Sequence, residues 1–257
     1  MEIYSSLGKI GYSPLRTAID NQNYELFNML KALPNIEYCQ NYFRYCFNLI
    51  TFKIPSYVKT IYPKFFTHCT SLNKVALHSS ITSIEEEAFS GCSSLKEIKF
   101  PSSLINIGSE AFYGCYSLKE IKLPSSLKAI GDEAFSECTQ LEEISIPSSV
   151  TSIGKFAFNK CSALAQVSIP PQLTTIEEGK FKFCVSLAKI SIPSSATRIE
   201  KEGFYFCGSL KEIDISSSSS LTFIGEEAFR GNSELIELSI PPSVNHIGKS
   251  AFCECYN

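Results

Sequence analysis

Eight cysteines, Cys46, Cys69, Cys92, Cys115, Cys138, Cys161, Cys184 and Cys207, follow one another at intervals of 23 residues. A thiol can ligate a soft metal, pair in a disulfide, or sit buried as a small, weak donor. A structural zinc site closes a tetrahedron from clustered Cys and His, commonly with Cys-x-x-Cys pairs. These thiols would stand in a line, and the three histidines, His68, His78 and His246, share no repeat position. No metal and no cofactor is expected. Stacked neighbours could approach disulfide separations, but bridging some of them would break the equivalence of all. The other chemistry-bearing patterns are missing: the phosphate-cradling Gly-x-x-x-x-Gly-Lys, the Gly-x-Ser-x-Gly elbow and the His-Glu-x-x-His helix do not occur. A non-enzymatic chain is expected. Carboxylates such as Glu85, Glu86 and Glu87 read as a solvated edge.

The elements that hold the cysteines march in step with them. Leucine recurs at 49, 72, 95, 118, 141, 164, 187 and 210, then at Leu235. Phenylalanine recurs at 66, 89, 112, 135, 158, 181 and 204, then at Phe229 and Phe252. Isoleucine recurs at 61, 84, 107, 130, 153, 176 and 199, then at Ile224 and Ile247. The phase slips once, by two residues, at the serine run Ser216 to Ser220, which is expected to form a bulged loop. In each unit a segment like LKEIKLP, Leu118 to Pro124, alternates apolar and polar as a half-buried strand does. The proline ends that strand, because it has no N–H to give to a ladder. SSLKAIG, Ser125 to Gly131, reads as a second extended piece, and DEAF as a tight helical turn. One unit cannot close a core, so each must bury its Leu, Ile and Phe against the next.

The unit C-x-S-L-x-x-I-x-[IL]-P-x-S-L-x-x-I-G-x-x-A-F-x-x-C resembles the BspA-like class of leucine-rich repeats over residues 43 to 257. The resemblance implies a leucine-rich-repeat solenoid of about nine units, with a parallel β-sheet on one face and short strands and tight turns elsewhere. Nine strands at about 4.8 Å would make a ladder on the order of 43 Å long. It also implies that Asn or Cys fills one turn position, where the side chain bonds neighbouring backbone. Here Asn232 stands where the next cysteine is due, and Cys255 follows it. Asn and Cys share no disulfide chemistry and little metal chemistry, but both are small and both can donate to a buried carbonyl. That exchange favours a structural ladder running from Cys46 to Cys255. Cys39 and Cys253 lie outside it, and Cys253 is the one expected to be exposed and reactive.

Residues 1–40 break the pattern. Ser13 suits a helix N-cap with Pro14 at the first helical position, and Leu26, Phe27 and Leu30 make an apolar stripe. SPLRTA is similar to the T-P-L-H-x-A start of an ankyrin repeat, with Ser and Arg replacing Thr and His. The expectation is a small helical, ankyrin-like cap over the end of the solenoid, followed by repeats from 41 to 257. The other end, CECYN, carries no polar cap, so end-on association is expected there.

With 44% hydrophobic and 19% charged residues the chain is a folded one, and its net charge of −3 offers nucleic acid or a membrane surface little attraction. No window has the roughly 18–20 apolar residues of a membrane span. The N-terminus shows no apolar secretory core. About a fifth of the residues are Ser or Thr, yet no Asn-x-Ser/Thr site occurs. The expected compartment is cytoplasmic; the alternative is the cell surface, by a route not visible in this sequence. Binding to a protein partner is expected on the strand positions that point outward between two inward residues: Lys53, Lys99, Lys122, Ser145, Ser168, Ser191, Asp214 and Ser239. The resemblance adds an alternative, a surface adhesin or antigen that binds host or matrix proteins.

Overall fold

A computed structural model describes residues 43–215, 220–236 and 238–256. The helical cap expected at 1–40, Cys39 and most of the serine run lie outside the described residues. The chain winds into a parallel β-solenoid in which a typical coil contributes a strand to a front face, a Pro-led turn, a strand to a second face, and a turn edge that returns to the front.

The front face carries a six-stranded sheet of Thr51–Lys53, Lys74–Ala76, Glu97–Ile98, Glu120–Lys122, Glu143–Ser145 and Gln166–Ser168. It continues as a two-stranded sheet, Lys189–Ile192 with Glu212–Ile215. All pairings are parallel and lie one repeat apart in register until the two-residue insertion; Ile121 faces Ile144, for example. The second face carries Thr60–Ile61, Ser83–Ile84, Asn106–Ile107, Ala129–Ile130 and Ser152–Ile153 as one sheet. Thr175–Ile176, Arg198–Ile199, Phe223–Ile224 and His246–Ile247 form another. Among the described residues the front face therefore has eight strands where nine are expected. Leu238, Ser239 and Ile240 form none; they run into Pro241–Pro242, a pair with no N–H to give to a ladder.

The turn edge differs from the helical turn expected of DEAF. Among the described residues no helix forms. Glu87, Glu110 and Glu133 have φ of 52–53°, in the left-handed region, and such a residue ends any right-handed helical run. The edge is instead a string of four-residue turns, with Ala88 N–H donating to Glu85 O and Cys92 N–H to Phe89 O. Alternate N–H groups point to the next coil. Glu87, Phe89 and Gly91 donate to the carbonyls of Ser109, Ala111 and Tyr113 at 2.7–2.9 Å. The edge is thus a third coil-to-coil hydrogen-bond ladder without being a strand.

These ladders fix the spacing of the core. From Phe66 to Phe252 each repeat phenylalanine stacks on the next, with centroids 5.2–5.7 Å apart and planes within 18° of parallel. Near-parallel rings at that separation lie within the range aromatic pairs favour, and the backbone spacing repeats the contact from coil to coil. The glycine after the second strand answers to the same constraint. A Cβ on Gly131 would lie 2.4 Å from Ser109 N and 2.6 Å from Gly108 C. Both are backbone atoms of the preceding coil and cannot yield cheaply.

Gly131→Ala should lower stability by about 1–3 kcal/mol through overpacking. Gly208→Ala, whose Cβ would meet nothing within 4 Å, should change it by no more than about 0.5 kcal/mol. Urea midpoints of the two variants check the contrast.

Candidate functional site

The cysteine column lies inside the ladder system. Each thiol from Cys69 to Cys207 donates to the carbonyl of the phenylalanine 26 residues before it: Cys92 Sγ to Phe66 O at 3.1 Å, Cys115 Sγ to Phe89 O at 3.2 Å, Cys138 Sγ to Phe112 O at 3.3 Å. Cys69, Cys161, Cys184 and Cys207 do the same at 2.8–3.2 Å, and Cys255 reaches Phe229 O at 3.3 Å. Asn232 holds the same place with two bonds, Nδ2 donating to Phe204 O at 3.1 Å and to Phe229 O at 2.8 Å. Cys46 is buried at the first described coil. The ten described cysteines are free, and no group of metal-ligating side chains occurs among the described residues. Burial pushes the Cys161 and Cys207 thiols up to about 12 and raises Cys115, Cys138 and Cys184 well above the ordinary range. Thiolate, the nucleophilic form, is therefore suppressed along the column. Among the described cysteines, Cys253 alone is exposed.

A second ladder escaped the sequence reading. The serine after P-x donates to a carbonyl of the preceding coil: Ser103 Oγ to Ile81 O, Ser126 Oγ to Leu104 O and Ser243 Oγ to Leu221 O, at 2.6–2.7 Å. The repeated PSS was its signal. Gln172 takes over that place, and its Nε2 donates to Val150 O at 2.7 Å. Ser149 Oγ in the coil before is buried without a partner.

All eight front-face candidates are exposed, but they do not form one site. Lys122, Ser145 and Ser168 line a shallow depression of about 450 Å³ together with Glu120, Glu143, Gln166, Leu123 and Pro147. Lys53 is at the far end of the same sheet, in register with Ala76. Lys99 lies just past its strand. Ser191 Oγ contacts Asp214 Oδ2 at 3.3 Å beyond the sheet interruption, and Ser239 is in no strand. Charge on this face is partly self-neutralised, with Lys122 Nζ 2.9 Å from Glu120 Oε1 and Lys189 Nζ 2.6 Å from Glu212 Oε1. These pairs are exposed and add little stability. Glu97, Glu120 and Glu143 stack in register along the face. On the turn edge, Lys64 lies 3.2 Å from Glu87. Next along that edge, burial and then Glu87 and Glu133 raise the Glu110 carboxyl.

Lys180 is the other feature the sequence hid. It stands in the column of Ala88, Ala111, Ala134 and Ala157, with 1% of its surface exposed. Its Nζ donates to Thr175 O at 3.3 Å. Burial lowers it to about 8, against the favourable charge of Glu177. Below pH 8 the folded chain carries the full burden of an ammonium in the core, about 3 kcal/mol. Because the unfolded chain binds the proton more tightly, stability rises with pH from about 8 to about 10.4.

The model of a BspA-type leucine-rich repeat region of six copies matches residues 36–164 and 128–257. The chain belongs to the BspA-type leucine-rich repeat family. Among solved structures it is similar to the leucine-rich repeat protein of T. pallidum, TpLRR, at 29% identity over 74% of this chain and 79% of that one, with a TM-score of 0.53. It is also similar to the pneumococcal vaccine antigen PcpA, at 27% identity over 79% of this chain and 59% of that one, with a TM-score of 0.57. No curated protein matches the sequence. The BspA-type family and its solenoid fold are typically non-enzymatic. Among the described residues no helix is long and apolar enough to cross a membrane.

A thiol-exchange reagent at pH 8 should modify Cys253 at once and Cys255 slowly, leaving the other eight described cysteines intact until urea unfolds the chain. Mass spectrometry of the labelled peptides checks this.

Proposed function

We propose that this chain is a non-catalytic module that docks a protein partner on its front face, at the depression between Glu120 and Ser168. The observation that carries the reading is a division within each coil. Inward positions are consumed by the ladders and the Phe stack, whereas the side chains of Lys122, Ser145, Ser168, Glu143 and Gln166 take no part in either, are exposed and converge on one concavity. Its mixed walls, apolar at Leu123 and Pro147 and polar elsewhere, suit a protein surface with a polar rim. The cysteine column and Asn232 serve the fold in this reading, as donors to the Phe carbonyls. The partner is neither nucleic acid nor lipid, since the chain carries a net charge of −3 and Lys122 is already paired with Glu120.

A second reading, a surface antigen that binds host or matrix proteins, is favoured by the likeness to a vaccine antigen. That likeness points to the cell surface rather than to the cytoplasm expected from the N-terminus. Labelling of intact cells with an impermeant reagent separates the two compartments.

Cross-linking and capture from native cells should recover a protein with the parent chain. The double variant Lys122→Glu/Glu143→Lys should lose it, by tenfold or more in affinity. Undiminished capture by the double variant, with its melting temperature unchanged, contradicts docking at this face.

A further inference from the structure

Both sheets break at one coil. Across the second face, Gly154 N–H donates to Ile130 O and Glu200 N–H to Ile176 O, at 2.8–2.9 Å. Among the described residues no equivalent bond joins Glu177 to Ile153, nor Thr174 to Thr151. On the front face, Ala165 N–H donates to Glu142 O and Lys211 N–H to Ala188 O, both at 2.9 Å, but Ala188 makes no such bond to Ala165. The coil from Cys161 to Cys184 therefore lacks backbone bonds to the coil before it on one face and to the coil after it on the other, and side-chain bonds at the Pro-led turn, Gln172 Nε2 to Val150 O and Ser195 Oγ to Leu173 O at 2.7 Å, are what still cross those junctions. Its strand residue Val167 is only half-buried, where its counterparts Ile144 and Ile190 are buried. The turn edge stays laced. Phe158 N–H donates to Lys180 O at 3.0 Å and Phe181 N–H to Gly203 O at 2.9 Å. The Phe158–Phe181–Phe204 stack is unbroken at 5.6 and 5.4 Å.

This coil also carries Lys180. Its neighbours in the column are Ala157 and Gly203, which cannot pair with a cation. Charged groups at the same level are Glu177 on its own coil, Lys155 on the preceding coil, engaged by Glu178 at 3.1 Å, and on the following coil Arg198 with Glu200 at 2.5 Å, Lys201 with Glu226 at 4.0 Å and Glu202 with Lys182. Pro170–Pro171 removes an N–H from the same coil.

We propose that the coil from Cys161 to Cys184 is a proton-controlled joint of the solenoid. With Lys180 neutral the coil stays seated between its neighbours. With Lys180 protonated, the ammonium is drawn toward water, and the two unlaced junctions open about the turn edge. The burial penalty of the charged form supplies the direction, and the missing intercoil bonds make this coil the one that yields. The joint begins beside the depression, whose last wall is Gln166 and Ser168, so opening would reshape that end of the docking face. The joint stands or falls independently of docking.

Spin labels on Lys122→Cys and Asp214→Cys would lie four coil steps apart on the front face, about 19 Å between attachment points, with Cys39, Cys253 and Cys255 replaced by Ser. Pulsed electron resonance should give a single narrow distance distribution at pH 9.5 and a broader, longer one at pH 6.5. Lys180→Ala, which restores the repeat residue, and Lys180→Met, which keeps the length without the charge, should give the narrow distribution at both pH values. A parent chain that does not change with pH, or variants that still change as the parent does, would overturn the proposal.

Discussion

The separation of adjacent coils, set by parallel hydrogen bonds on three sides, is the constraint from which the rest of this molecule follows. When every backbone meets its neighbour one repeat later, each side chain lies directly over its own counterpart. Column positions must then suit contact with themselves. Phenylalanine does so by stacking at 5.2–5.7 Å. Glycine does so at 131 because any Cβ would strike the Ser109 backbone. Cysteine does so because a small thiol can reach back to a Phe carbonyl that would otherwise have only the Cys N–H of its own coil. The thiol supplies that carbonyl with a second donor for its other lone pair, and the column repeats that gain in coil after coil.

The same burial that makes the thiols useful removes their chemistry. A thiol pushed to about 12 holds its proton at any physiological pH. Function then falls to positions that the ladders do not use, and these gather on the front face and at one irregular coil. Lys180 shows how sharply the columns discriminate. One lysine in an alanine column coincides with the place where both sheets come apart, though Pro170–Pro171 shares that coil.

The repeat period, the two strands per coil and the Phe column were legible because each depends on residue type at a fixed interval. The turn edge was not. Its left-handed residues are Glu87, Glu110 and Glu133, which read as ordinary helix formers; tertiary lacing to the next coil overrides their propensity. Lys180 was masked by its neighbours, since EEGKFKF looks like a solvated turn when the column is not traced. The depression was legible only in part. Outward strand positions could be named, but which of them share a concavity depends on where the sheet stops, at the coil that carries Lys180 and the Pro-Pro pair.

The central claim, that the cysteine column is there to donate a buried hydrogen bond, is tested most directly by unfolding free energies of Cys115→Val and Cys115→Asn. Valine matches the thiol in bulk but cannot donate; asparagine can, as it does at 232. Because Phe89 O keeps the Cys92 N–H, the column read as a donor ladder predicts that Val costs about 0.5–1.5 kcal/mol and that Asn retains more of the parent stability than Val does. A Val variant as stable as the parent, or more stable than the Asn variant, would contradict it.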